Sequence, residues 1–290
     1  MTSLQSIRSR IRSIRSTEKI TKAMKLVAAA KFRQNQSSIK VSEDFYVELK
    51  RCIASSLNCL KDTGDLVSIP FFKDESRNAV SEFFVVTSDK GLCGSFNSNL
   101  IKEFLNQKKS FKNSCKINSI GIKGLEILNK SKIPIEDSYS FNNLLSKKTF
   151  DFLNSSISNY LSGEVSEVFI MYTHFRSAFK QEICLKKILP LDLNNFTDNI
   201  EDSYIQDTLL ESNLQFLLTQ YVFSQFYLAF LHSITSENCA RMNAMENANK
   251  NAKGLIGKLT LIYNQARQAN ITKEILEIIS GAESIKVDCQ

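Results

Sequence analysis

Residues Ser236–Ile285 read SENCARMNAMENANKNAKGLIGKLTLIYNQARQANITKEILEIISGAESI. No proline occurs after Pro190, so nothing in this stretch forces a helix to end. Small and apolar residues recur at alternating spacings of three and four, as in the a and d positions of a coiled coil. The positions are Met245, Ala248, Ala252, Leu255, Leu259, Ile262, Ala266, Ala269 and Leu276. Because four of the nine are alanine, the pattern predicts a long helix packed closely against another long helix.

The first 63 residues are predicted to supply that second helix. They contain neither glycine nor proline, which favours a continuous helix. Leu4, Ile7, Ile11 and Ile14 follow heptad spacing, and after a phase slip Ile20, Met24 and Val27 resume it. We therefore expect helices from the two ends of the chain to pair antiparallel.

Between Gly64 and Pro190 the pattern changes to alternating strands and helices. All three prolines and six of the nine glycines fall in this region. Such alternation predicts a mostly parallel sheet with helices on its faces, and a hairpin for the last two strands. The predicted strands are Val80–Ser88, Lys116–Gly121, Pro134–Tyr139, Glu167–Thr173 and Glu182–Leu189; the predicted helices are Ser98–Lys108, Leu125–Lys130 and Lys148–Leu161.

The resulting fold class is α/β, with a long antiparallel coiled coil of the N- and C-terminal helices and a central Rossmann-like α/β domain. The expected boundaries are 1–63 for the N-terminal coiled-coil helix, 64–195 for the α/β domain and 196–290 for the C-terminal helix. An aromatic-rich segment, residues 209–238, precedes the C-terminal seam and is expected to be buried on more than one side.

Positive charge is concentrated at one end of the sequence. Residues 1–36 carry nine basic residues and one acid, a net charge of +8 in a chain whose total is +7. An acidic partner for this segment is therefore expected. Two alternatives share this composition: a mitochondrial transit peptide, and a basic coiled-coil arm that binds nucleic acid.

The sequence offers little for catalysis, cofactors or metals. The seven scattered cysteines contain no C-x-x-C pair, and His174 and His232 are the only histidines, both expected to be structural. The glycine turn in Thr87–Asn99 lacks the lysine motif of a phosphate loop and the G-x-G-x-x-G of a dinucleotide fold, so close strand–helix packing is the favoured interpretation. Cys93 is expected to be a packing residue, and Asp89 and Lys90 a solvated pair. The sequence contains no run of eighteen apolar residues, so no membrane span is predicted. We expect no catalytic residue, cofactor or metal.

Three separated blocks resemble the gamma chain family of F-type ATP synthase. They are IRSRIRSIRSTEKITKAMKLVAAAKFR (Ile7–Arg33), VTSDKGLCGSFNSNL (Val86–Leu100) and SENCARMNAMENANKNAKGLIGKLTLIYNQARQANITKEILEIISGA (Ser236–Ala282). The blocks occur in the family's order and at a spacing that suits its length, so the resemblance covers essentially the whole chain. The first begins within a few residues of Met1, as in bacterial members, which disfavours a transit peptide.

The resemblance implies a rotating central stalk that couples proton translocation to ATP synthesis at the beta subunits and regulates ATPase activity, without catalysis of its own. It implies as partners the alpha and beta subunits, the epsilon subunit and the ring of c subunits, with no nucleic acid. The expected location is peripheral, on the cytoplasmic side of the cell inner membrane. It also implies six subunit-contact residues: Lys19, Lys22 and Met24 near an acidic beta-subunit loop, and Arg267, Gln268 and Thr272 near a second beta-subunit loop.

Overall fold

The computed structural model describes residues 4–61, 69–72, 80–111, 114–140, 147–178, 180–196 and 210–287. The chain forms two compact units. Unit 1 comprises Met1–Val27 with Met242–Gln290, and unit 2 comprises Ala28–Arg241. The sequence-based domain boundaries remain a prediction, and the first of them lies outside the described residues.

The helices and strands follow the predicted order. The helices are α1 (Leu4–Lys61), α2 (Phe96–Lys108), α3 (Ile122–Lys130), α4 (Lys147–Leu161) and α5 (Leu210–Val287). The strands are β1 (Val80–Val86), β2 (Ser114–Ile120), β3 (Ser138–Tyr139), β4 (Glu167–Phe175) and β5 (Gln181–Leu189). Short 3-10 turns lie at Pro70–Phe72 and Leu193–Phe196.

The five strands form one sheet in the order β3-β2-β1-β4-β5. β1 is parallel to β2 and β4, β2 is parallel to β3, and β4 pairs antiparallel with β5, which confirms the predicted hairpin. β3 is shorter than predicted. The Glu136 N–H donates to the Ile117 carbonyl at 2.9 Å, but Pro134 has no N–H with which to extend the ladder.

Both faces of the sheet are covered by helices, as a mostly parallel sheet requires. On one face, Phe83, Val85 and Met171 pack with apolar residues of α2 and α3. On the other, Phe84 and Ile170 belong to a larger core formed with α4 and with the unit 2 parts of α1 and α5. The aromatic-rich start of α5 is buried in that second core, as predicted.

Within the described parts of the chain, one helix segment, inside Asn213–Ser280, is long and apolar enough to cross a membrane by length and composition alone. Its 18-residue window has a mean hydropathy of 1.2, and 56% of the window is buried inside the protein. The burial is that of a helix in a protein core, and Leu218, Val222 and Phe226 lie in the unit 2 core.

In unit 1 the inward positions of α1 keep one heptad register, so the predicted phase slip is wrong. The buried and half-buried positions include Leu4, Ile7, Ile11, Ile14, Glu18, Thr21 and Lys25. Ile20 and Val27, predicted at the seam, are 57% and 58% exposed. The register runs through polar residues because their polar groups find partners: the Thr21 hydroxyl donates to the Glu18 carbonyl at 3.0 Å.

The seam of α5 in unit 1 also differs from the prediction at alternate positions. Met245 and Ala252 are buried, and Leu259 and Ala266 are half-buried. Between them, Ile256 and Tyr263 are half-buried. Leu255 and Ile262 are 50% and 48% exposed, so they do not lie at the seam. The sequence pattern could not show which residue of each adjacent pair, Leu255–Ile256 and Ile262–Tyr263, lies at the seam, since all four side chains are apolar or aromatic.

Two contacts show that the helices of unit 1 run antiparallel. The Asn249 side-chain N–H donates to the Glu18 carbonyl at 3.0 Å. Lys25 Nζ lies 3.2 Å from a carboxylate oxygen of Glu246. Since the residue number falls on α5 as it rises on α1, the predicted antiparallel pairing is confirmed. All described side chains from 267 to 280 are exposed, so the seam ends near Ala266 and the predictions for Ala269 and Leu276 are wrong.

Ala252→Phe is expected to lower the free energy of unfolding by about 1–3 kcal/mol, because the larger side chain overpacks a buried seam position. Ala269→Phe is the matched control: the same substitution on the exposed part of α5 should change stability by less than about 0.5 kcal/mol. Chemical denaturation of the full chain, followed by circular dichroism, measures both. Equal effects from the two variants would contradict the register described above.

Candidate functional site

The carboxyl ends of β1 and β4 mark the place where ligands bind in open α/β sheets. The chain leaves β1 towards β2 on one side, whereas β4 lies on the other side, so the strand order reverses here. Dinucleotide-binding folds hold their ligand in the crevice at such a reversal, with phosphate on helix N-terminal amides. The glycine turn of the second sequence block lies directly after β1.

The first amides of α3 are already bonded to the end of β1. The Gly124 N–H donates to Thr87 Oγ1 at 2.9 Å, and the Lys123 N–H donates to the Ser88 carbonyl at 3.0 Å. The Ile122 N–H donates to Asp89 Oδ1 at 3.2 Å. A side chain at position 124 would clash with Thr87. These amides of α3 therefore bond the chain itself, and Asp89 accepts one of them at the start of the helix.

The glycine turn is closed by buried polar contacts. The Asn97 side-chain N–H donates to Ser88 Oγ at 2.7 Å and to Cys93 Sγ at 3.4 Å. Cys93 is buried, which agrees with its predicted packing role. Gly94 has a φ of 63°, a left-handed conformation that favours glycine. The sequence motif thus specifies a tight strand–helix connection.

Helix α5 lies across the crevice itself. Ser236 Oγ donates to the Thr173 carbonyl of β4 at 3.2 Å, and Cys239 Sγ contacts the Ala178 carbonyl at 3.5 Å. On the β1 side, Arg241 Nη2 donates to the Lys90 carbonyl at 3.0 Å, and its Nε donates to the Gly91 carbonyl at 3.3 Å. The place that binds a nucleotide in related folds is therefore occupied by the chain's own helix.

A buried ion pair strengthens this contact. Arg241 Nη2 lies 2.5 Å from Glu237 Oε1, one turn earlier on α5, and the two side chains are only 11% and 12% exposed. Burial raises the pKa of Glu237, and the neighbouring Arg241 opposes that rise. We call Arg241, Glu237 and the carbonyls of Lys90 and Gly91 the arginine clamp. Sequence reasoning did not identify it, because no local motif joins residues so far apart in the chain.

The described residues contain no assembled metal site. Within those ranges, no group of three or more His, Cys, Asp or Glu side chains is placed to hold a metal ion. His174 and His232 lie together between β4 and α5, with ring centroids 4.1 Å apart.

The expected contact residues on α1 lie beside an apolar surface in unit 1. Lys19 and Lys22 are exposed, and Met24 is half-buried next to the seam. The structure adds a feature that the sequence analysis missed: Ile20, Leu26 and Val27 are all exposed. We call these three residues the apolar stripe. The unbroken heptad register turns them outward, on the same part of α1 as the two lysines.

The expected contact residues on α5 are also exposed. Arg267, Gln268 and Thr272 all lie beyond the end of the seam. The Thr272 hydroxyl donates to the Gln268 carbonyl at 3.0 Å, so its donor is used within the helix. Further along, exposed apolar side chains accompany them: Ile271, Ile275, Leu276, Ile278 and Ile279. Arg267 and Gln268 are therefore the available donors of this group.

Comparisons with known proteins agree over nearly the whole chain. A family model described as ATP synthase matches residues 3–285. An ATP synthase gamma chain of Geotalea daltonii is 40% identical over 291 residues, covering 99% of this chain and 100% of the relative. That of Geobacter metallireducens is 38% identical over 298 residues, with the same coverage.

Solved structures share the fold. A chain of the Euglena gracilis mitochondrial ATP synthase, from a structure that includes the c-ring, has a TM-score of 0.69 at 20% identity, covering 99% of this chain and 96% of that one. A chain from the central stalk and c-ring of the Tetrahymena thermophila enzyme has a TM-score of 0.53 at 25% identity, covering 79% and 99%. The alternative of a nucleic-acid-binding protein finds no support among these matches. On its sequence relatives, the chain belongs to the ATP synthase gamma chain family, a component of the ATP synthase complex.

Proposed function

We propose that this chain is the rotating central stalk of a proton-translocating ATP synthase. Rotation of the stalk would couple proton flow through the membrane sector to ATP synthesis at the beta subunits and regulate ATP hydrolysis. The observation that carries the proposal is similarity to gamma chains over the full length of the chain. The antiparallel helix pair of unit 1 is consistent with it, because two paired helices resist bending better than one.

We propose as partners the alpha and beta subunits, the epsilon subunit and the ring of c subunits. The solved neighbours come from structures of a rotor, a central stalk and c-rings. We place the chain peripherally on the cytoplasmic side of the cell inner membrane, held there through the complex.

The six expected contact residues remain our proposal for the beta-subunit interface. Exposure of Lys19 and Lys22 in a strongly basic segment supports an acidic partner loop. The adjoining apolar stripe supports a partner that also buries nonpolar surface, since exposed apolar residues grouped on one face mark interaction sites. Exposure of Arg267 and Gln268 supports hydrogen bonds to a second loop.

Co-purification of the native chain tests the assignment directly. We expect a nucleotide-binding hexamer of roughly 50 kDa subunits to accompany it, as a rotor requires. Nucleic acid that co-purifies and is released at high salt would instead support the basic coiled-coil alternative. A chain that purifies alone from solubilised membranes would contradict the proposed partners.

We propose that the chain is not catalytic and that nucleotide chemistry resides in its partners. The isolated chain should show no saturable ATP binding in the micromolar range by calorimetry, because α5 occupies the crevice. Lys90→Ala is the matched control, since it removes the one lysine of the glycine turn while leaving the backbone carbonyl that Arg241 uses. Micromolar binding that this substitution abolishes would establish a nucleotide site at the turn.

A further inference from the structure

The only two histidines of the chain are in contact inside unit 2. His174 lies on β4 and His232 on α5, with ring centroids 4.1 Å apart and ring planes inclined by 36°. Tyr172 of β4 adjoins both rings, at centroid distances of 6.2 and 6.3 Å. The contact thus joins a strand of the sheet to the helix that crosses the crevice.

The surroundings of His232 disfavour its protonated, charged form. It is buried, and its Nδ1 has no hydrogen-bond partner among the described residues. Its Nε2 lies 3.6 Å from Glu43 Oε1 of α1, beyond hydrogen-bond distance. The Glu43 side chain is 52% exposed, so water screens its attraction.

The other groups around the pair are mostly positive or already bonded. Glu182 of β5 accepts from Arg176 at 3.0 Å and from Lys180 at 2.8 Å. The titratable and charged groups facing the pair are Glu43 and Tyr46 on α1, Tyr172 and Arg176 on and after β4, and Glu182 and Lys186 on β5. A proton on either ring therefore adds a cation beside two others.

Both histidines are consequently held neutral. Burial, the adjacent His174 and Lys186 lower the pKa of His232 to about 4. Burial and the charge of Arg176 lower the pKa of His174. Acid then has to introduce charge at a buried His232 ring whose Nδ1 has no hydrogen-bond partner among the described residues.

We propose that the His174–His232 contact is a pH-sensitive latch, which fastens α5 to β4 while both rings are neutral and releases it when acid protonates them. This inference does not depend on the proposed function. It follows from two rings that face each other with a buried, unpartnered nitrogen.

The sign and size of the effect follow from proton linkage. An exposed histidine takes up a proton near pH 6.5, whereas His232 in the folded chain resists until about pH 4. The latch is therefore complete above pH 6.5 and weakens as the pH falls towards 4. In that window each pH unit raises the population of the released state by up to about tenfold through the His232 proton.

Magnetic resonance of the full chain labelled at histidine Cε1 gives the direct test. Two signals are expected, both with titration midpoints below 6.5 and one near pH 4. Because the chain has no other histidine, the signals need no further assignment to the pair. Midpoints at or above 6.5 for both would overturn the latch, and this outcome requires no variant to fold.

Hydrogen exchange tests the structural consequence. After correction for intrinsic rates, exchange of β4 and of the adjoining turn of α5 should rise about fivefold between pH 6.5 and 5.5 in the unmodified chain. The variant His174→Gln/His232→Gln, which lacks histidine, should lose this rise. Glu43→Gln is the control, since it alters the carboxylate nearest His232 Nε2 and leaves both rings. An equal acid-induced rise in the histidine-free variant would contradict the proposal.

Discussion

Replacing Arg241 with alanine is expected to lower the free energy of unfolding of the chain by about 3–5 kcal/mol. The substitution leaves the buried Glu237 carboxylate without its counter-ion and removes the donors to the Lys90 and Gly91 carbonyls. Breaking one side of a buried pair costs this much because the remaining charge is uncompensated. Chemical denaturation of the full chain at pH 7.5 measures the loss.

Arg51→Ala is the matched control for the arginine clamp. Arg51 pairs with Glu48 at 2.7 Å, but the two side chains are 62% and 64% exposed, so the same substitution should cost less than about 1 kcal/mol. The pH dependence gives a second check. Burial raises the pKa of Glu237, so without Arg241 the folded chain keeps a proton that the unfolded chain loses above pH 4.5. The Arg241→Ala defect should therefore grow as pH rises from 4.5, and a defect that shrinks instead would contradict the clamp.

Replacing both Arg267 and Gln268 with alanine is expected to reduce ATP synthesis and hydrolysis by the assembled enzyme about tenfold or more. Hydrogen bonds to a charged group contribute about 1.5–3 kcal/mol, and each 1.36 kcal/mol of barrier changes a rate tenfold. Contacts made at one angular state and lost at the next couple rotation to differential binding. ATP synthesis by membrane vesicles measures the effect. Assembly with the alpha and beta subunits should survive, since both residues are exposed and outside the seam.

Charge reversal at Lys19 and Lys22 together provides the contrast. These residues lie on α1, so reversing their charge should act mainly on coupling or inhibition through the proposed acidic partner loop and leave hydrolysis nearer its normal rate. Arg267→Lys is the matched control for the first variant, because lysine keeps the charge but loses the forked donors. Wild-type synthesis by the double alanine variant would remove Arg267 and Gln268 from the proposed interface.

The α/β domain was largely predictable from sequence because its signals are local. Glycines and prolines occur between the strands and helices and mark where they end. The predicted bounds of β1, β2 and β5 differ from the observed ones by at most two residues. The hairpin also follows from the short link between β4 and β5. These features depend on residues that are neighbours in the chain.

The coiled-coil register was less predictable because it depends on partners across the helix pair. Apolar residues occupy two adjacent positions at Leu255–Ile256 and again at Ile262–Tyr263, so a hydrophobic pattern fits either one. The polar Asn249, which bonds the Glu18 carbonyl, is the residue that marks the actual register. On α1 the inward positions Glu18 and Thr21 are polar, so the apolar residues alone predict a phase slip there that does not exist.

The contacts around the crevice were also beyond sequence reasoning. Arg241 and Gly91 are 150 positions apart, and no motif connects them. The glycine turn was correctly interpreted as a packing element, but its partner was not foreseen. The apolar stripe was missed for a different reason: Ile20 and Val27 were assigned to the seam, and only the unbroken register turns them outward.

The helix that lies across the crevice acts as a tethered competitor. A segment joined to its own binding place is present there at an effective concentration of about millimolar or higher, however dilute the protein. A free nucleotide with equal intrinsic affinity would therefore be displaced at any lower concentration of that nucleotide. A nucleotide could bind in this crevice only if the contacts of α5 with the ends of β1 and β4 were first weakened. Those contacts therefore keep the domain from responding to the ATP that its complex produces.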